Sequence, residues 1–204
     1  MPATVCFDIG GVFLDWDPRY LYRQLFDGDD EAMERFLAEV CPQEWHAQMD
    51  RGRSIAEACE ERKALYPAAA PLIDAWRDRS EDMIRGVIDG TVEVLRDLKA
   101  TGATCYALSN MERENWEVRY RRYGFLQWFD GYFISGCEGV IKPEPEFFRR
   151  AAQRLGFRPA DVVFIDDRPV NVEAARAGGL PSVLFTGPEE LRRELAVLGL
   201  LPEG

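Results

Sequence analysis

Five short apolar runs punctuate the chain. Residues 4–7 (TVCF) lead into Asp8, 104–108 (TCYAL) into Ser109-Asn110, 132–134 (YFI) into Ser135-Gly136 and 162–165 (VVFI) into Asp166-Asp167; the fifth is 182–185 (SVLF). Unbroken apolar runs this short suit strands buried on both faces. Helical stretches over 91–99 (amphipathic), 112–123 (polar), 145–155 and 170–177 lie between the later runs and close on Gly102, Gly124, Gly156 and Gly178-Gly179. From residue 90 or so onward, strand and helix therefore alternate, which predicts an α/β fold with a parallel sheet flanked by helices.

The first run breaks this rhythm, because the next run of its kind comes about a hundred residues later. The stretch between reads as helices over 18–26, 30–40, 42–49, 55–66 and 71–85, with Pro18, Pro42 and Pro71 at tolerated first-turn positions. Two units follow: residues 1–17 with 87–204 as the α/β core, and residues 18–86 as a helical insert after strand one. The acidic stretch 27–34 reads as a helix start with a solvated face.

At 204 residues and 47% hydrophobic content the chain can bury a core without staples. A formal net charge of -11 argues against nucleic acid or an anionic membrane surface as partner. It leaves room for a phosphate substrate, since a metal ion and one lysine reverse the field locally. No apolar run reaches a membrane span, and the N-terminus does not read as a signal peptide. Five scattered cysteines without CxxC spacing imply reduced thiols, a cytoplasmic location and no zinc cluster. The single histidine, His46, weakens any mechanism built on a His base and turns attention to carboxylates; a surface position is its plain expectation.

In a parallel α/β sheet, ligands bind beyond the carboxyl ends of the strands. Asp8, Ser109 and Asp166-Asp167 all stand at such ends. Singly, each is a helix-capping residue as readily as a functional one; together, with a paired carboxylate among them, they point to chemistry. Two adjacent acids after a buried strand need compensating charge, from a divalent cation or from Lys142.

These residues form a set that resembles the haloacid dehalogenase (HAD) superfamily. Its four motifs occur in order as Phe7-Asp8-Ile9-Gly10-Gly11-Val12, Ser109-Asn110, Gly139-Val140-Ile141-Lys142-Pro143 and Phe164-Ile165-Asp166-Asp167-Arg168-Pro169-Val170-Asn171. The resemblance implies a Rossmann-like core and makes the insert a helical cap; the first motif is similar to the sugar-phosphate phosphatase branch. It further implies that Asp8 attacks phosphorus, and that Mg²⁺ is held by Asp8, Asp167 and the Gly10 carbonyl. Ser109 and Asn110 would bind phosphate oxygens, Lys142 would neutralise charge, and Asp166 and Asn171 would support Lys142 and the metal. The substrate would be a small phosphate ester; monomer and homodimer are both compatible with the sequence.

One position departs from the pattern. Most phosphatases of this family carry a second Asp two residues after the nucleophile as general acid and base, where this chain has Gly10. Either the leaving group manages without an acid or another group replaces it, and Asp15 is the replacement the sequence offers. Candidates for the cap's lining are Trp16, Asp17, Trp45, His46 and Met49, with Trp45 assigned to substrate, although Trp45 and Met49 also stand at ordinary helix-core spacing. Two other readings remain: a 2-haloacid dehalogenase using the same Asp, against which the acidic pair in motif four speaks, and a HAD-fold binding protein without chemistry, for which Gly10 speaks.

Overall fold

The computed structural model describes residues 4–202. In chain order the elements begin with strands β1 (Thr4–Phe7) and β2 (Leu14–Trp16), then helices α1 (Pro18–Leu25), α2 (Asp30–Glu39), α3 (Gln43–Asp50), α4 (Ile55–Leu65) and α5 (Ala70–Asp78). They continue with β3 (Ile84–Val87), α6 (Asp89–Ala100), β4 (Thr104–Ser109), α7 (Arg113–Arg122), β5 (Gly131–Ile134) and the short α8 (Ser135–Glu138). Last come α9 (Pro145–Leu155), β6 (Val162–Asp166), α10 (Pro169–Ala177), β7 (Ser182–Leu184) and α11 (Pro188–Val197).

The five apolar runs form one parallel sheet in the order β5-β4-β1-β6-β7, a Rossmann-like arrangement with β1 at its centre. Side chains alternate across it as the pleat requires. Val5, Phe7, Cys105, Ala107 and Ile165 face a cluster that includes Val94, Leu98 and Leu191, while Cys6, Leu108 and Phe164 face Phe147, Phe148 and Ala151. Burial on both faces is why these runs carry no polar alternation. Register then fixes the site: Phe7 pairs with Ala107 and Ile165, so the next residue, Asp8, emerges beside Ser109 and Asp166, and its N–H donates to the Ile165 carbonyl at 2.8 Å.

The insert holds its own apolar cluster, with Tyr22, Met33, Trp45, Met49, Cys59 and Trp76 among its members. Its first two helices start where side chains satisfy free N–H groups: Asp17 accepts from Arg19 N at 2.9 Å and Asp29 from Ala32 N at 3.0 Å. The fifth insert helix is shorter than its periodicity implies. It ends at Asp78, a 3₁₀ turn follows at Ser80–Met83, and residues 84–87 form β3, antiparallel to β2. Local spacing cannot reveal a pairing between strands some seventy residues apart. The helix α11 likewise has no counterpart in the sequence reading. All five cysteines are free, with Cys137 alone exposed. Among the described residues, no helix is long and apolar enough to cross a membrane.

Candidate active site

The carboxyl ends of β1, β4 and β6 meet around a buried ammonium. Lys142, in the loop after α8, places Nζ 2.8 Å from Asp8 Oδ2, 2.6 Å from Asp166 Oδ2 and 3.0 Å from the Leu108 carbonyl. All three ammonium protons are thereby used. The backbone of Lys142 is pinned by one side chain: Asn110 Oδ1 accepts from its N–H at 2.8 Å, and Asn110 Nδ2 donates to its carbonyl at 2.9 Å. Burial draws the ammonium's pKa down, but Asp166 and Asp8 outweigh that and leave it above lysine's ordinary value.

Asp8 Oδ1 accepts from Ile9 N–H and from the Ser109 hydroxyl, each at 2.7 Å. Burial pushes the Asp8 carboxyl up to about 7; Lys142 opposes this, and Asp166 and Asp167 add to it. Both oxygens of Asp166 are engaged: Oδ1 accepts from Arg168 N–H at 2.9 Å and Asn171 Nδ2 at 3.0 Å, and Oδ2 takes the lysine. Asp167 differs. It is partly exposed, lies against the cavity and accepts no hydrogen bond from another residue's side chain among the described residues; burial and Asp166 raise its pKa. Ligand oxygens of Asp8, Asp166 and Asp167 lie within 4.8 Å of one another. Gly11 makes this packing possible. It adopts φ +71, and a Cβ there would collide with the Asp167 carboxylate. No such constraint applies at Gly10, where a Cβ would meet nothing within 4 Å.

This cluster opens into a cavity of about 640 Å³ between the sheet edge and the helical insert. Of the expected lining residues, Trp16, Asp17 and His46 reach it. Trp45 and Met49 do not: Trp45 is buried in the insert, edge-on to Trp76 at 5.2 Å, with its indole N–H donating to the Ala58 carbonyl at 3.3 Å. The assignment of Trp45 to substrate is thus corrected, because helix-core packing claims it. Asp15 is corrected too. It accepts from Tyr20 Oη at 2.7 Å, lies 3.9 Å from Arg85 Nη1 and does not line the cavity, so it is not placed to replace an acid at Gly10. Glu34, read as part of a solvated face, stands at the cavity wall with Arg19, its ion-pair partner.

His46 is buried rather than superficial. Its Nε2 lies 3.0 Å from Glu112 Oε1 and 3.7 Å from Asp50 Oδ1. Glu112 and Asp50 are absent from the sequence reading. Asp50 sits in an acidic-basic stretch typical of a helix end, and Glu112 heads a polar helix. The contact that buries them spans 66 residues in sequence, so no local signal announces it.

The haloacid dehalogenase-like hydrolase family model matches residues 2–179. The sesquiterpene phosphatase astK of Aspergillus oryzae is 27% identical over 184 residues, covering 88% of this chain and 88% of that protein. A phosphoglycolate phosphatase of Xylella fastidiosa is 28% identical, over 90% of this chain and 80% of its own length. Among solved structures, a HAD family enzyme of Bacteroides thetaiotaomicron, in complex with magnesium and inorganic phosphate, superposes with a TM-score of 0.71 at 21% identity, over 92% of this chain and 96% of that one. With its parallel sheet, its central Asp8 and a match running through all four motifs, this chain belongs to the haloacid dehalogenase-like hydrolase family.

Proposed function

We propose that the chain is a magnesium-dependent phosphatase that hydrolyses a small phosphate ester through an aspartyl-phosphate formed on Asp8. The observation that carries this reading is the charge pattern at the cavity floor. Three carboxylates crowd together with one ammonium, which is bound to two of them. A phosphate dianion approaching Asp8 needs more positive charge than Lys142 provides.

The residues fit a hard divalent cation. Asp167 is uncommitted, Gly11 lets it approach the first loop, and Asn171 Oδ1 is buried without a partner, as suits an acceptor for a metal-bound water. Asp8, Asp167 and the Gly10 carbonyl would hold the ion. When bound, Mg²⁺ supplies positive charge against the nucleophile and the phosphoryl oxygens. Asp166 is excluded as a ligand because its oxygens are already taken.

The remaining steps belong to the side chains. Lys142 favours the ionised form of Asp8, opposing its burial, and shields the approaching dianion. The hydroxyl of Ser109 orients the carboxylate and, once Asp8 carries phosphate, is free to donate to it. Asn110 holds the lysine loop at the distance this requires. Attack on phosphorus releases the alcohol, and water then hydrolyses the acyl phosphate. The phosphatases among its relatives support phosphate over a haloacid, as does the intact Asp166-Asp167 pair.

Phosphate release from a panel of sugar, glycolate, aryl and prenyl phosphates, with Mg²⁺ and with EDTA, tests the reading. Release that needs Mg²⁺ and vanishes in Asp8→Asn is expected. Absence of release from the whole panel, or chloride release from a 2-haloacid that survives EDTA, would refute it.

A further inference from the structure

Cleavage of an unactivated ester leaves an alkoxide unless a proton reaches it, and positioned acids contribute about 10²–10⁴ in rate. The groups nearest Asp8 cannot supply that proton. Lys142 has all three N–H bonds committed, the Ser109 hydroxyl donates to Asp8, the Asn110 amide is tied to the lysine backbone, and Gly10 has no side chain.

Across the cavity, His46 on α3 is held from several sides. Trp16 stacks on its imidazole at 5.4 Å and 26°, and Trp76 meets it edge-on at 5.1 Å. Glu112 binds Nε2 and is itself fixed by Asn115 Nδ2 at 2.9 Å. The Nδ1 atom has no hydrogen-bond partner among the described residues. His46 also borders a small inner recess of about 60 Å³, whose wall includes Gly10, Asp50, Asn110 and Glu112. It therefore lies along both the main cavity and the space left beside Gly10.

The geometry points to His46 as the proton donor to the leaving group, oriented by Glu112, in the reaction proposed above, on which this role rests. In the first half-reaction the bond from Asp8 to phosphorus forms, the ester P–O bond breaks, and the Nδ1 proton passes to the departing oxygen. In the second, water adds to phosphorus, the acyl phosphate bond breaks, Asp8 returns as carboxylate, and the water's proton restores the imidazolium.

The charged surroundings are consistent. Burial disfavours the imidazolium, but Asp50 and Glu112 outweigh this and Arg119 opposes them weakly, so the ring is pushed up to about 9. Lys142 acts on Asp50 from the core side. Asp50 is the competing donor: burial lifts its carboxyl to about 6, its Oδ1 is buried without a partner, and it shares both spaces with His46.

The discriminating experiment measures kcat/KM for 4-nitrophenyl, phenyl and alkyl phosphates with His46→Gln and, separately, Asp50→Asn. His46→Gln is expected to lose about 100-fold or more on the alkyl ester and under about tenfold on the 4-nitrophenyl ester, which needs little protonation. Equal losses across the series, or a leaving-group-dependent loss in Asp50→Asn but not in His46→Gln, would overturn the role alone. Wild-type protein inert to every ester would overturn the phosphatase reading and this role with it. Should His46→Gln misfold, the wild-type imidazole, the chain's only histidine, is followed by NMR. It is expected to remain protonated through pH 7.5 and to shift when orthovanadate is added with Mg²⁺. A ring already neutral at pH 7, or unmoved by vanadate, would overturn the role.

Discussion

Replacing Lys142 by Met removes the cation on which the buried cluster depends. The Nζ atom stands 2.8 Å from Asp8 and 2.6 Å from Asp166, with the lysine side chain fully buried. At an effective dielectric of about 20, each contact is worth roughly 6 kcal/mol of attraction, most of which is offset by taking the charges out of water. Loss of one partner leaves the others buried and uncompensated, at a cost of about 3–5 kcal/mol. With m near 2–3 kcal/mol/M in urea, the unfolding midpoint at pH 7 without metal falls by about 1–2 M. The variant's deficit is pH-dependent. Unpaired carboxylates have folded-state pKa values above their unfolded ones, so the folded variant takes up protons as pH falls. Its disadvantage therefore narrows by about 1–2 kcal/mol between pH 7 and pH 5. Added Mg²⁺ recovers part of the loss at pH 7, and phosphate release falls to background. Urea titrations of both proteins at the two pH values, with and without metal, give every quantity needed. A deficit below about 1 kcal/mol, or one unchanged between pH 7 and pH 5, would refute the account of Lys142 as the buried counter-charge.

Asp8→Asn is expected to abolish phosphate release while leaving thermal stability equal or higher, because it relieves repulsion from Asp166 and Asp167; calorimetry beside the activity assay checks both halves. Gly11→Ala forces an L-residue to φ +71 and drives its Cβ into Asp167. It should cost about 1–2 kcal/mol from the backbone alone and weaken Mg²⁺ binding at least tenfold, read by titration calorimetry. The contacts of His46 with Asp50 and Glu112 together add stability through a histidine whose folded pKa, about 9, lies above the 6.5 of an unperturbed ring. That contribution, about 3 kcal/mol, is complete below pH 6.5 and lost as pH rises through about 9. Glu112→Gln should flatten the decline in stability between pH 7 and pH 10, and an identical slope in variant and wild type would contradict it.

Much of this architecture is legible in the chain. The runs before Asp8, Ser109 and Asp166 are apolar without alternation because the strands they form are covered on both faces, and that covering is visible as composition. Since parallel strands share a direction, their polar termini must meet at one edge. Asp8, Ser109, Lys142 and Asp166-Asp167 could thus be grouped before any coordinate.

Other features depend on contacts that no local pattern encodes. The ribbon of β2 and β3 joins residues about seventy positions apart, and residues 84–85 read as the end of the helix expected over 71–85 until their partner strand is known. Trp45 and His46 are neighbours on one helix, yet one packs into the insert's core and the other faces the cavity. A helix turns about 100° per residue, and only the surrounding helices determine which direction is inside. Asp15 lies close to Asp8 in sequence but not along the cavity, whereas His46, thirty-eight positions from Asp8, borders it. The sequence by itself determined the parallel sheet and the polar groups gathered around Asp8, because burial and strand direction leave a trace in the pattern of residues. Only the tertiary structure decided which side chains face Asp8 across the cavity, because the docking of one packed layer on another is set by shape and charge over long separations.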